Sequence, residues 1–187
     1  MRPVRKLMFK RHYNIIFCIT ATLSLAVSLK AQPKAIGCSN SFNGFGIVYE
    51  HNLQQDNFLE VKLKTDMQEV FLGRTSFPGA SASICWNYVL HKMEDKEGNL
   101  WQFFAGPGVG AGYGKDFRKD EGWFIGLQGR GGAECLFRRN ISISFTVNPL
   151  LSIQFSRDRE RGTVLTTWYR NGIIWALMPE LSIKYSF

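Results

Sequence analysis

Strict alternation of apolar and polar side chains, recurring along the chain and still present at its last residues, is what most restricts the fold. In 181–187, Leu181, Ile183, Tyr185 and Phe187 alternate with Ser182, Lys184 and Ser186. A period of two residues is the signature of a β-strand. The same reading gives Ala80, Ala82, Ile84, Trp86, Tyr88 and Leu90 against Ser81, Ser83, Cys85, Asn87 and His91, and Ile141, Ile143, Phe145 and Val147 against Ser142, Ser144, Thr146 and Asn148. It also gives Trp123, Ile125, Leu127 and Ala133 against Gln128, Arg130 and Glu134. No window after Leu29 keeps the 3.6-residue period of an amphipathic helix over three turns. The chain is therefore expected to be all-β, with strands at 44–53, 58–66, 80–91, 100–114, 122–137, 141–154 and 181–187.

The N-terminus has a different chemistry. Arg2, Arg5, Lys6, Lys10 and Arg11 precede an apolar stretch from Ile15 to Leu29, and no acidic residue occurs before Glu50. That order is the layout of a secretory signal peptide. Thr20, Thr22, Ser24 and Ser28 dilute the stretch, which falls short of the ~20 residues a membrane-crossing helix needs. Residues 1–31 are read as the signal, with cleavage after Ala31 and Ser28 as the alternative, and residues 32–187 as one domain. Of the 23 Lys and Arg, Arg2, Arg5, Lys6, Lys10, Arg11 and Lys30 leave with the signal, so 17 face 15 acidic residues in the remainder. The basic balance of the full chain thus gives no reason to expect nucleic acid as a partner. Cys38, Cys85 and Cys135 remain after the signal, an odd number that leaves at least one thiol free. None belongs to a Cys-x-x-Cys pair or lies beside a pair of histidines, so no metal and no cofactor is expected.

Alternation alone fits a soluble sandwich as well as a membrane barrel. Three features favour the barrel. Strands of ten or more residues suit a tilted crossing of hydrocarbon, against ~5–6 in soluble sheets. Aromatics (Trp101, Phe103, Tyr113, Trp123, Trp168, Tyr169, Trp175, Tyr185 and Phe187) gather near strand ends, as in interfacial girdles. The third is the export signal. Working back from Phe187 with both termini on the inner side, residues 155–175 become an outer loop, 138–140 an inner turn, 115–121 outer, 93–99 inner, 68–79 outer and 54–57 inner. One further ascending strand is then needed, at 34–42, which makes eight. Eight strands enclose a space that side chains just fill. By parity Glu50, Glu60, Lys62, Lys64, Gln128, Arg130, Glu134 and Lys184 point inward, where acids and bases can neutralise one another as a polar plug.

Over essentially the whole length after the signal, the chain resembles the small eight-stranded outer-membrane barrels of the OmpA-like transmembrane type, in particular uncharacterised versions from Bacteroidota-like bacteria. The likeness rests on four segments: Leu29-Lys30-Ala31-Gln32, the run from Trp101 to Gly110, the run from Gly126 to Glu134, and the ending Leu181 to Phe187. It implies an outer-membrane location, contact with outer-membrane lipids and lipopolysaccharide, a monomer, and recognition of the last strand by the barrel-assembly machinery through Tyr185 and Phe187. Nothing follows Phe187, so the cell-wall tethering of relatives with a periplasmic domain is not expected to transfer. The likeness implies a fold and an export route, and fold alone specifies no activity.

Three motifs invite sharper chemistry. Gly106, Gly108, Gly110, Gly112 and Gly114 fall on every second residue, unlike a dinucleotide fingerprint, and in a strand all would share the inward face. His51 and His91 lack the serine two residues on that a lipid A deacylase-like pattern has, although a triad built from separate strands, such as His91 with a serine and Glu60, stays open. Arg157, Arg159 and Arg161 alternate with Asp158 and Glu160, as in a solvated loop tip or a contact for lipopolysaccharide phosphates. The expected function is a non-enzymatic outer-membrane barrel with an envelope-structural or surface-contact role. The alternatives are a lipid A-modifying acyl hydrolase or acyltransferase, and a soluble exported lipocalin-like binding barrel with its apolar rows inward.

Overall fold

The computed structural model of the protein describes residues 34–54, 56–67, 73, 78–116, 121–137, 140–157, 163–174 and 178–187. The expected signal, residues 1–31, lies outside them. The segments are β1 (Lys34–Ser41), β2 (Gly44–Gln54), β3 (Asn57–Asp66), β4 (Gly79–Glu94), β5 (Leu100–Lys115), β6 (Glu121–Leu136), β7 (Ile141–Val147), β8 (Leu150–Arg157), β9 (Val164–Trp168), the one-turn helix α1 (Asn171–Ile174) and β10 (Glu180–Ser186). Every pairing is antiparallel. β7 and β8 meet β6 in one continuous register, Gly131 opposite Val147 and Gln128 opposite Leu150, and are one barrel strand interrupted at Asn148-Pro149. β9 and β10 together form the last barrel strand, with α1 inserted between them. The result is an all-β, eight-stranded antiparallel barrel, closed where β10 pairs with β1.

The stagger of the barrel can be followed partner by partner. From Phe145 the pairing runs through Leu181, Asn40, Phe45, Thr65, Ala80, Tyr113 and Trp123, and it returns to the starting strand at Phe155, ten residues further along. With ~3.3 Å per residue and ~4.8 Å between strands, that shear tilts eight strands by ~40° and sets a backbone radius of ~8 Å. Such a lumen takes side chains and little else.

The alternating faces divide as the pleat requires. Ile47, Leu63, Ile84, Trp86, Val109, Ile125, Leu127, Ile143, Phe145, Leu151 and Ile183 are all exposed on the outside, whereas Glu50, Glu60, Lys62, Arg130, Glu134, Ser144, Gln154, Ser182 and Lys184 are buried within. On β5 the outward row from Trp101 to Tyr113 covers ~30 Å along the barrel axis at this tilt, the thickness of a hydrocarbon core. Aromatics close both ends of the row: Trp101 and Phe103 at the end that holds Lys34 and Phe187, Tyr113 packed edge-on against Trp123 at 5.4 Å at the far end. Lys34 and Phe187 exchange both backbone hydrogen bonds at the near end. Near-end connections are tight: Gly98 adopts φ 78° inside the Asp95–Asn99 turn, and Asn140 takes φ 60° before Ile141, a left-handed conformation that asparagine tolerates well.

Two neighbouring glycines on β6 show how differently the faces are packed. A Cβ at Gly132 would strike the Phe145 carbonyl oxygen and come within 2.7 Å of Thr146 Cγ2, whereas at Gly131 the nearest atom would be 3.8 Å away. Gly132→Val is therefore expected to lower stability by ~1–3 kcal/mol or more through overpacking against backbone. Gly131→Val, on the outside, should stay within ~0.5 kcal/mol of the parent. Urea midpoints for refolding into detergent micelles check the contrast.

The structure corrects the expected strand map in four places. Residues 155–175 are not one loop: β8 runs to Arg157 and β9 occupies Val164–Trp168, because the ten-residue stagger carries this hairpin far past the β1–β2 turn. β4 continues to Glu94. A bulge between Val89 and His91 inserts one residue, so His91 is exposed outside, with its ring 6.3 Å from that of Phe103, and does not face the lumen. The last strand starts at Glu180, one residue early, which brings a further carboxylate indoors.

Candidate functional site: the charged lumen

The pleat on barrel strands places eight ionisable side chains inside an ~8 Å tube. β2 supplies Glu50, β3 supplies Glu60, Lys62 and Lys64, β6 supplies Arg130 and Glu134, and β10 supplies Glu180 and Lys184. Four carboxylates meet four cations. Lys64 is the least covered of them, with 18% of its side chain exposed. Gln128 also faces inward, half-buried, along the wall of the cavity at the far end.

The pairs cross the lumen in two tiers. In the tier nearer Phe187, Lys184 Nζ donates to Glu50 Oε2 and lies 2.7 Å from Glu134 Oε1, while Gln102 Nε2 donates to Glu134 Oε2 at 2.7 Å. In the second tier Arg130 pairs with Glu60, Lys62 pairs with Glu180 and lies 3.5 Å from Glu60 Oε1, and Lys64 sits 3.9 Å from Glu180 Oε2. Lys64 Nζ also donates to Asn43 Oδ1 at 2.6 Å. In the same lumen Phe58 and Phe104 pack edge to face at 5.1 Å. The Arg130 guanidinium lies over the Phe104 ring at 5.4 Å and the Lys184 ammonium over the Phe58 ring at 5.9 Å. Each aromatic face thus meets a cation, a favourable contact in a site shielded from water.

Taking a charge out of water costs several kcal/mol unless a partner compensates it, so these side chains are interdependent. Lys184 compensates two acids at once and Glu60 two bases, which links β2, β3, β6 and β10 across the tube. The sequence reading missed Glu180 and Gln102. Both were accessible from parity, Glu180 sharing the row of Ser182 and Lys184, and Gln102 that of Phe104 and the β5 glycines.

The remaining candidate residues lie elsewhere. His91 and Glu60 are on opposite faces of the wall, which dismantles the triad considered for that pair. His51 is buried near the near end of β2, and neither ring nitrogen has a hydrogen-bond partner among the described residues. Arg157 ends β8, exposed at the far end, whereas Arg159 and Arg161 lie outside the described residues. Tyr185 and Phe187 are exposed on the outer face. Cys38 is exposed and paired on both sides within β1, while Cys85 and Cys135 are buried, and all three are free thiols. Among the described residues no group of three or more His, Cys, Asp or Glu side chains is placed to hold a metal ion. No helix among them is long and apolar enough to cross a membrane.

A closed barrel with an apolar exterior, aromatic rings at both ends of that surface and an ionic interior is a membrane barrel of the small eight-stranded build. No protein-family model matches the chain, and no curated protein matches it. Among solved structures it is similar to a major outer membrane protein from Thermus thermophilus, with 12% sequence identity and a TM-score of 0.44, over 84% of this chain and 100% of that one.

Proposed function

We propose that the protein is an outer-membrane barrel whose lumen is sealed by its own ion pairs and whose role is envelope-structural or surface contact at the far end. The observation that carries the reading is the crossing of the tube by Arg130–Glu60, Lys62–Glu180 and Lys184–Glu50, all buried, with Phe58 and Phe104 packed against the Lys184 and Arg130 cations. A lumen filled by paired charges and aromatic rings leaves no continuous aqueous path, unlike the wider barrels that form open channels. The far end carries Arg157, a side chain suited to phosphate groups of lipopolysaccharide, and the outward row ending in Tyr185 and Phe187 suits recognition by an assembly machinery.

The purified protein in planar bilayers is expected to show no large, steady conductance, and steady openings would refute the sealed lumen. Heat-modifiable migration in gels of the outer-membrane fraction should accompany it. Recovery of the folded protein in a detergent-free soluble fraction would refute the location.

A further inference from the structure

We propose that the far-end mouth of the barrel is a binding cup for a neutral polyhydroxylated ligand, of the class of a terminal sugar unit. A cavity of about 110 Å³ lies between the Lys62–Glu180 pair and the Phe124–Tyr169 stack, whose ring centroids are 4.3 Å apart. That space exists because β5 presents glycine to it. A Cβ at Gly110 would project to 3.1 Å from Gln128 Oε1 and 3.2 Å from Leu150 Cδ1, both lining the cavity.

The chemistry of the lining selects the ligand class. Asn171, only 3% exposed, is one of the residues lining the cavity; it donates through Nδ2 to the Lys115 carbonyl, but its Oδ1 has no hydrogen-bond partner among the described residues. Asn148 Oδ1, on another wall, is in the same condition. A buried acceptor without a donor costs ~1–3 kcal/mol, which a hydroxyl-bearing ligand relieves. The charged side chains of the lining balance in number, Lys62 and Lys64 against Glu180 and Asp66, so neither an anion nor a cation is favoured. Ser81, Ser83 and Gln128 supply further hydroxyl and amide groups, and the aromatic pair offers an apolar wall of the kind that fits the CH face of a sugar ring.

Access follows from the stagger. β1 and β2 turn back at Phe42-Asn43, while the β8–β9 hairpin continues well beyond, and β9 has no strand on its β1 side among the described residues. Among the described residues the wall is therefore lowest beside Ser41 and Asn43, which border the cavity. This inference needs the barrel fold only, and it stands whether or not the lumen conducts.

The test titrates glucose and N-acetylglucosamine into the detergent-solubilised barrel, following the side-chain amide resonances of Asn148 and Asn171, with inorganic phosphate and choline as charged controls. Saturable shifts with a sugar are expected, weakened at least tenfold by Gly110→Val, which fills the cup, and by Asn171→Leu, which removes the acceptor. Heat-modifiable migration verifies that each variant is folded. Should Gly110→Val not fold, Gly110→Ala takes its place, with an expected loss of at least threefold. No saturable response to either sugar from the folded parent, unchanged affinity in the folded variants, or preferential binding of phosphate or choline would overturn the proposal.

Discussion

Lys184→Met is expected to destabilise the folded barrel by ~3–5 kcal/mol, the range for breaking a buried ion pair from one side. Lys184 is 1% exposed and its ammonium lies against Glu50 and Glu134 together, so one substitution leaves two carboxylates without their cation. Methionine keeps most of the volume and the contact with the Phe58 ring, which isolates the charge from the packing. Glu50→Gln and Glu134→Gln added to Lys184→Met should restore most of the loss, because an uncharged set no longer needs compensation. Urea midpoints for unfolding in detergent micelles decide the matter. A single variant as stable as the parent would mean that Glu50 and Glu134 take protons or reach water, and the interlocked tiers would not be what holds β2, β6 and β10 together.

The ionic tiers were legible because a two-residue period assigns faces without knowing neighbours. Glu60, Lys62 and Lys64 follow one another at that spacing on β3, as Gln128, Arg130 and Glu134 share one face of β6, and the structure turns all of them inward. Which acid meets which base was not legible, since it depends on the shear: Arg130 reaches Glu60 from three strands away only because a ten-residue stagger sets their heights. The misread side chains sit where the period breaks. At Val89 to His91 a bulge shifts the count by one and turns His91 outward, and nothing in Tyr88-Val89-Leu90-His91 marks it, since no glycine, proline, asparagine or aspartate interrupts the run. β9 was hidden for another reason. Val164-Leu165-Thr166-Thr167-Trp168 has a weak alternation beside a charged run, and its pairing with β8 comes from the height of the hairpin. The far-end cup was half legible. The glycine row on β5 announced missing side chains, but the asparagines that border the space come from 148 and 171, brought together by the interruption in each of the last two barrel strands.

Ile84→Arg is the second large effect, and it addresses the outside. Ile84 is 47% exposed, and its neighbours Val61 and Val109 flank it within the apolar belt. An arginine on the lipid face near mid-bilayer costs ~2–4 kcal/mol, falling toward zero at the interfaces. Refolding into phospholipid vesicles should therefore lose about that much for Ile84→Arg. An arginine in place of Tyr113, at the girdle, should lose ~1 kcal/mol or less from the same depth dependence. The depth profile separates the two environments that an outward apolar row could face. In water, Ile84→Arg would merely replace an exposed isoleucine by a well-solvated side chain, and a surface change of that kind stays within ~0.5 kcal/mol. A cost that grows from Tyr113 toward Ile84 can come only from hydrocarbon around the barrel, whereas equal, small effects at both positions would place the same row in solvent and leave the export reading with a water-soluble barrel.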